Sequence, residues 1–154
     1  VVGDADLTVA ERGAVAGLFP PPWRAFATAA AERGSFTQQR PRWRVLARSA
    51  APTNATVGHA GLVLLADHVV GLSDVVVDVD WRRLGVAGAL IDAAVGFCDT
   101  HRLVCLVDTG HGGLRRHLHR LGFYPATADR VEVAGGRIDN VMVRGEVTLV
   151  TSPF

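Results

Sequence analysis

Apolar residues recur along the 154-residue chain with periods that switch between helical and extended, and the switches lay out its elements. Thr8-Val9-Ala10-Glu11 has the Thr-x-x-Glu spacing of a capping box, which predicts a helix running to about Leu18. Pro20-Pro21-Pro22 stops it, and Pro22 fits the first turn of a second helix that runs to Arg33, with Gly34 as its stop. Trp43 to Ala47 alternates as a strand. Val57 to Ala66 and Val69 to Val79 read as two long strands joined by a short turn at Asp67-His68. After Gly85 the period becomes helical, with Ala87, Leu90, Ile91, Ala94, Val95 and Cys98 on one face and Asp92 and Asp99 off it. Leu103 to Val107 is a further apolar strand. Because a helix separates it from the strand before, the two should be parallel with a right-handed crossover. Thr109 is placed to cap a helix carrying Leu114, Leu118 and Leu121 and stopped by Gly122. Val131 to Val133 and Ile138 to Val143 flank Gly135-Gly136, a hairpin signal.

The predicted order is therefore two helices, an antiparallel meander, a βαβ unit, another helix and a closing hairpin. At this length one domain spanning 1–154 is expected. With 49% hydrophobic and 20% charged residues the chain has the composition of an ordered domain rather than a disordered one. A formal charge of +1 gives no overall preference for nucleic acid or acidic membranes. All 16 basic residues are arginine, which excludes a phosphate-loop lysine, a Schiff-base lysine and a lysine general base. Cys98 and Cys105 read as small buried hydrophobes, and six histidines show no metal-ligand spacing, so no metal is expected. No apolar run reaches the roughly 18 to 20 residues of a bilayer span. No basic-then-apolar leader opens the sequence either, and the expected compartment is the cytoplasm.

The segment richest in chemistry is Ser73 to Leu90, where a β-branched strand meets a turn, Arg82-Arg83-Leu84-Gly85, and a helix starts at once through Val86, Ala87 and Gly88. The first N–H groups of a helix have no intrahelical partner, and the helix dipole adds positive potential there, so the turn suits a phosphate or pyrophosphate. Two adjacent arginines at a helix N-terminus are unfavourable unless an anion neutralises them.

Arg82-x-x-Gly85-x-Ala87 resembles the acyl-CoA motif of the GCN5-related N-acetyltransferase (GNAT) superfamily, Gln/Arg-x-x-Gly-x-Gly/Ala. Leu121-Gly122-Phe123-Tyr124-Pro125 resembles the Leu-Gly-Phe ending after that family's fourth helix, and the resemblance covers roughly Trp43 to Val143. It implies an α/β (α+β) fold: a mixed, mostly antiparallel sheet of six to seven strands with a central, splayed parallel pair and helices on both faces. Gly58-His59-Ala60-Gly61-Leu62 and the run Leu114 to Leu121 are similar to segments of nodulation N-acyltransferases, and Val79-Asp80-Trp81-Arg82 resembles aminoglycoside 2'-N-acetyltransferases. By this resemblance acetyl-CoA or another acyl-CoA is the acyl donor, with an acyl carrier protein open as an alternative. The acceptor is a small-molecule amine. A second copy of the chain stays open as a partner, as does a non-catalytic acyl-CoA-binding role. Amides from Arg83 to Gly88 would hold the pyrophosphate, and the main chain at Val75 and Val77 would pair with the pantetheine arm like an added strand.

Acyl transfer to an amine needs positioning, a proton acceptor and donors for developing negative charge. The resemblance places the usual base at Gly71 or Ser73, neither of them a strong base, and the usual acid tyrosine at Leu118. The nearby candidates are His59 on the adjoining strand, Ser73, Asp74 and Tyr124. Strand alternation turns Asp74 to the opposite face unless a bulge redirects it. Asp108, Thr109 and His111 follow the fifth strand at its carboxyl end, where a sheet crevice opens, and Phe19, Trp23, Phe36 and Trp43 are candidates to line an acceptor pocket. Core packing accounts for the aromatics almost as well, and a backbone-satisfied core histidine accounts for His59 equally. The basic run Arg115, Arg116, His117, His119 and Arg120 is most simply a solvated helix face, with a dock for a phosphate or an acidic carrier protein as the sharper reading.

Overall fold

The computed structural model describes residues 1–32, 41–109, 112–126 and 141–145, with residues 30–32 described by backbone alone. The strands are β1 (Val2–Gly3), β2 (Trp43–Arg48), β3 (Thr56–Ala66), β4 (Val69–Val77), β5 (Val104–Asp108), β6 (Tyr124–Pro125) and β7 (Val141–Arg144). The helices are α1 (Val9–Leu18), α2 (Pro21–Glu32), α3 (Val86–His101) and α4 (Gly112–Arg120). The strands form one sheet in the order β1-β2-β3-β4-β5-β7-β6, antiparallel throughout except for the parallel pair β4 and β5. The mixed, mostly antiparallel α/β architecture expected from the chain is the one observed.

Local chemistry explains several boundaries. Thr8 caps α1 with a complete capping box: its hydroxyl accepts from the Glu11 N–H at 3.2 Å, and the Glu11 carboxylate accepts from the Thr8 N–H at 2.9 Å. Gly122, at φ +83, ends the turn after α4 in a left-handed conformation that glycine adopts freely. Cys98 and Cys105 are both free and buried, as expected of small core hydrophobes.

Other expectations need correction. β4 stops at Val77 rather than Val79, because the Asp78 side chain accepts from the Asp80 N–H at 3.0 Å and starts a 3-10 turn over Val79–Trp81. Ala87 is exposed. Val86 takes the inward place, since Gly58 on β3 has no side chain and lets Val86 and Leu90 approach its backbone. Thr109 is buried just past β5, and the junction at 110–111 through which it was expected to cap α4 lies outside the described residues. The two-residue strands β1 and β6 were not foreseen. The expected end of α2 at Arg33-Gly34 and the hairpin turn at Gly135-Gly136 lie outside the described residues.

The sheet buries both faces. On one, α3 and α4 pack Leu90, Ile91, Ala94, Val95, Cys98 and Leu118 onto Val45, Leu62, Val70 and Leu72. On the other, α1 and its flanks contribute Leu7, Val15, Ala16 and Phe19, with Leu46 and Val76 against them. A sheet covered on both sides leaves its polar side chains to find partners inside the protein.

Candidate active site

β4 and β5 pair only from Val69↔Val104 to Leu72↔Val107. Beyond Leu72, β4 runs on to Val77 without β5, which leaves a main-chain edge between the two strands with no strand partner among the described residues. Within that stretch the β3–β4 register passes from Gly61↔Ser73 to His59↔Val76, so Asp74 and Val75 together oppose Ala60. This is a bulge, and Asp74 sits in it at φ +52, left-handed backbone that non-glycine residues rarely adopt. The bulge resets the alternation. Val70 and Leu72 face the α3 core before it, and Val75 and Val77 pack against the same core after it. The Asp78 N–H turns back to the Val57 carbonyl at 2.9 Å, so by alternation the main-chain groups of Val77, and of Val75 two residues earlier, turn to the open edge.

At the end of this edge lies the arginine turn. Gly85 is the residue before α3, at φ +82, with no side-chain cap and no acidic residue in the first helical turn. The first helical bond runs from the Ala89 N–H to the Gly85 carbonyl, which leaves the N–H groups of Val86, Ala87 and Gly88 without intrahelical acceptors. A Cβ built on Gly85 would meet nothing within 4 Å, so the glycine answers to its backbone angle and not to crowding by the protein. Arg82, Arg83 and Leu84 are exposed, and Arg83 is itself left-handed at φ +64. Arg82 folds back so that its Nε donates to the Val77 carbonyl at 3.1 Å, tying the turn to the open edge.

Behind the bulge, on the α1 face, runs a buried polar chain. Arg44 on β2 is completely buried and donates from Nε to Asp4 Oδ1 at 2.5 Å, and Arg12 of α1 pairs with the same carboxylate oxygen at 3.3 Å. Arg44 Nη1 lies 3.1 Å from His59 Nε2, and His59 Nδ1 lies 3.1 Å from the Asp74 carbonyl oxygen. The Ser73 hydroxyl donates to the Asp74 carboxylate at 3.3 Å. Burial pulls the Arg44 guanidinium down to about 10, with Asp4 acting against it. Burial and then the Arg44 charge press His59 down to about 3. Asp74 moves the other way: burial raises its carboxyl, while Ser73 and Arg44 pull it down.

His59, Ser73 and Asp74 are thus brought together at the bulge, and Val75, Val77 and the turn from Arg82 to Gly88 line one continuous edge. Tyr124 is not brought to them. It pairs with Val143, and its hydroxyl donates to the Gly145 carbonyl at 2.7 Å, toward the opposite end of β5 from the splay. Asp108 is exposed at the last residue of β5, and Trp23 is 54% exposed on α2. Phe36 and His111 lie outside the described residues. Arg44, Arg12 and Asp4 escaped the sequence reading. The one available signal was Arg44 between Trp43 and Val45, an arginine on the strand face it shares with Leu46. A separate hollow of about 620 Å³ opens beside Asp4, Asp6, Arg42 and Trp43, at the β1–β2 side of the sheet and away from the splay. Among the described residues no three His, Cys, Asp or Glu side chains stand together as a metal set, and no helix is long and apolar enough to cross a membrane.

Comparison with known proteins agrees with this geometry. No curated protein matches the chain in sequence. The solved ribosomal-protein-S18-alanine N-acetyltransferase of Escherichia coli superposes with a TM-score of 0.61 at 16% identity, over 96% of this chain and 96% of that one. The GNAT family N-acetyltransferase YhbS of Escherichia coli, solved in complex with CoA, gives 0.60 at 15% identity over 86% of this chain and 72% of that one. An acetyltransferase of GNAT family from Staphylococcus aureus gives 0.51 at 20% identity over 66% of this chain, which spans 65% of that enzyme's length. At these identities the likeness carries the fold alone. The family model for the acetyltransferase (GNAT) family matches residues 15–123, most of the sheet and the whole arginine turn, and the chain belongs to that family.

Proposed function

We propose that the protein is an acyl-CoA-dependent N-acyltransferase that carries an acetyl group to the amine of a small molecule by direct attack, with both substrates bound together. The observation that carries this reading is the edge of β4 beyond Leu72, unpaired among the described residues, which ends at a helix N-terminus whose first N–H groups lack intrahelical acceptors and whose first turn carries no acidic residue. An amide-containing arm can pair along Val75 and Val77 as an added strand, and a pyrophosphate fits the amides from Arg83 to Gly88. Bound there, acyl-CoA supplies the thioester whose acyl group is transferred. The Val75 N–H, on the open edge just past the bulge, serves as donor to the negative charge that develops on the acyl oxygen. Asp74 is the better candidate for proton acceptor, since its carboxyl is raised toward the working range by burial. We leave His59 out of that role, because its Nε2 lies 3.1 Å from Arg44 Nη1. Tyr124, held by Gly145, is given no catalytic part.

One observation favours a second donor. α4 carries Arg115, Arg116, His119 and Arg120 and no acidic residue, while its His117 is taken up by Asp92 of α3 at 3.2 Å; the exposed basic side chains complement an acidic acyl carrier protein. Thiol release from acetyl-CoA with a panel of primary amines tests the main reading. Release that depends on both substrates supports it; release only from an acylated carrier protein moves the donor; binding of acetyl-CoA without release for any amine leaves a binding module.

A further inference from the structure

The buried chain behind β4 fixes more than charge. A guanidinium offers only N–H donors, so the His59 Nε2 that lies 3.1 Å from Arg44 Nη1 is an acceptor and bears no proton. A carbonyl only accepts, so His59 Nδ1, 3.1 Å from the Asp74 oxygen, is the protonated nitrogen. One neutral tautomer is thereby selected, with the proton aimed at the backbone of the bulge. That backbone is the left-handed residue Asp74, a conformation that persists only where its surroundings hold it. The side chain of the same residue is drawn to Ser73 and to the positive field of Arg44.

We propose, resting on the acyl-CoA reading of the β4 edge, that Arg44 and His59 are positioning residues: they clamp the Asp74 carbonyl and so set the bulge that turns Val75 and Val77 to the open edge. Among the described residues, the groups seen against the ring are Arg44 from β2, the Asp74 carbonyl from β4 and the Phe19 ring beside α1, with Asp4 and Arg12 behind Arg44. A proton on His59 Nε2 would set a second cation against Arg44 within a buried site, so the ring stays neutral through the working range. The clamp explains why a histidine with no free lone pair lies beside the site, and why an arginine is buried two strands away from the edge it serves.

Two variants and one spectrum test this. Asn places its amide near the Nδ1 position, so His59→Asn keeps a donor for the Asp74 carbonyl; His59→Gln reaches toward Arg44 and loses that donor. In the unaltered protein, ¹⁵N imidazole signals should show a single Nδ1-protonated tautomer from roughly pH 5 to 8. His59→Gln should shift the backbone amides of residues 73–77 and weaken acetyl-CoA binding roughly tenfold, with His59→Asn recovering most of both. A ring protonated at Nε2, a ring that titrates in that range, or Asn and Gln variants that behave alike would overturn the clamp. If neither variant folds, the tautomer in the unaltered protein decides alone. If the tautomer and amide shifts follow the pattern while acetyl-CoA never binds, the clamp stands and the acyl-CoA reading falls.

Discussion

Asp74 and His59 are neighbours with opposite electrostatic fates, and each fate can be measured. Replacing Asp74 with Asn should lower turnover by about 10²- to 10⁴-fold if its carboxylate takes the amine proton. It should also remove the acidic limb of kcat/KM, which for the unaltered enzyme lies above the ordinary aspartate range because burial raises the group. An unchanged limb in Asp74→Asn would assign the proton elsewhere. His59 governs stability instead. Its folded value, about 3, is well below that of a histidine in the unfolded chain, so its contribution is complete above the unfolded value and is lost as pH falls toward 3. Asp74 has the reverse sign: its raised folded value makes its contribution largest in acid and smaller as pH rises. Comparing the unaltered protein with His59→Asn isolates the histidine. Below about pH 6.5 the difference in unfolding free energy between them should change by up to about 1.4 kcal/mol per pH unit. Parallel curves would show that His59 already takes up a proton in the fold. The Asp4–Arg44 pair is buried on its arginine side, so Asp4→Asn should cost about 3 to 5 kcal/mol of stability, read from denaturant unfolding.

Elements differ in how openly the chain announces them. The capping box at Thr8 and Glu11 marks the start of α1 because both partners lie within one helical turn. The inward face of α3 follows from spacing alone, apart from its first turn, where the absent side chain of Gly58 admits Val86. Gly58→Val should therefore destabilise by about 1 to 3 kcal/mol, since a Cβ would already lie 3.0 Å from Leu90 and 3.1 Å from Val86. The arginine turn was legible too, through the β-branched run, the glycine and the helix that follows, whereas the splay was expected only from the family resemblance. β1 and β6 were not, because two residues carry no period and become strands only through Trp43 and Val143 beside them. The bulge at Asp74 was foreseen as a condition and not as a fact: it depends on His59 fifteen residues away. Arg44 and Asp4 meet across forty residues, and no local pattern encodes that pairing.

At the scale of the whole molecule, the sheet does two jobs with its two faces. The α3 and α4 side supplies the larger apolar core, while the α1 side sets a smaller apolar cluster beside the ionic chain that supports the bulge. Between them the parted strands β4 and β5 leave an edge that ends at the Gly85 turn. Gly85→Val strains a φ of +82, so it should weaken CoA binding and lower stability by about 1 kcal/mol or more, whereas a substitution at exposed Val9 should do neither. The most direct measurement is a titration of ¹⁵N-labelled protein with CoA, followed by amide shifts. The account predicts that the largest changes fall at residues 83–88, accompanied by Val75 and Val77. Saturable binding that leaves those amides unmoved, or no binding at all, would contradict it.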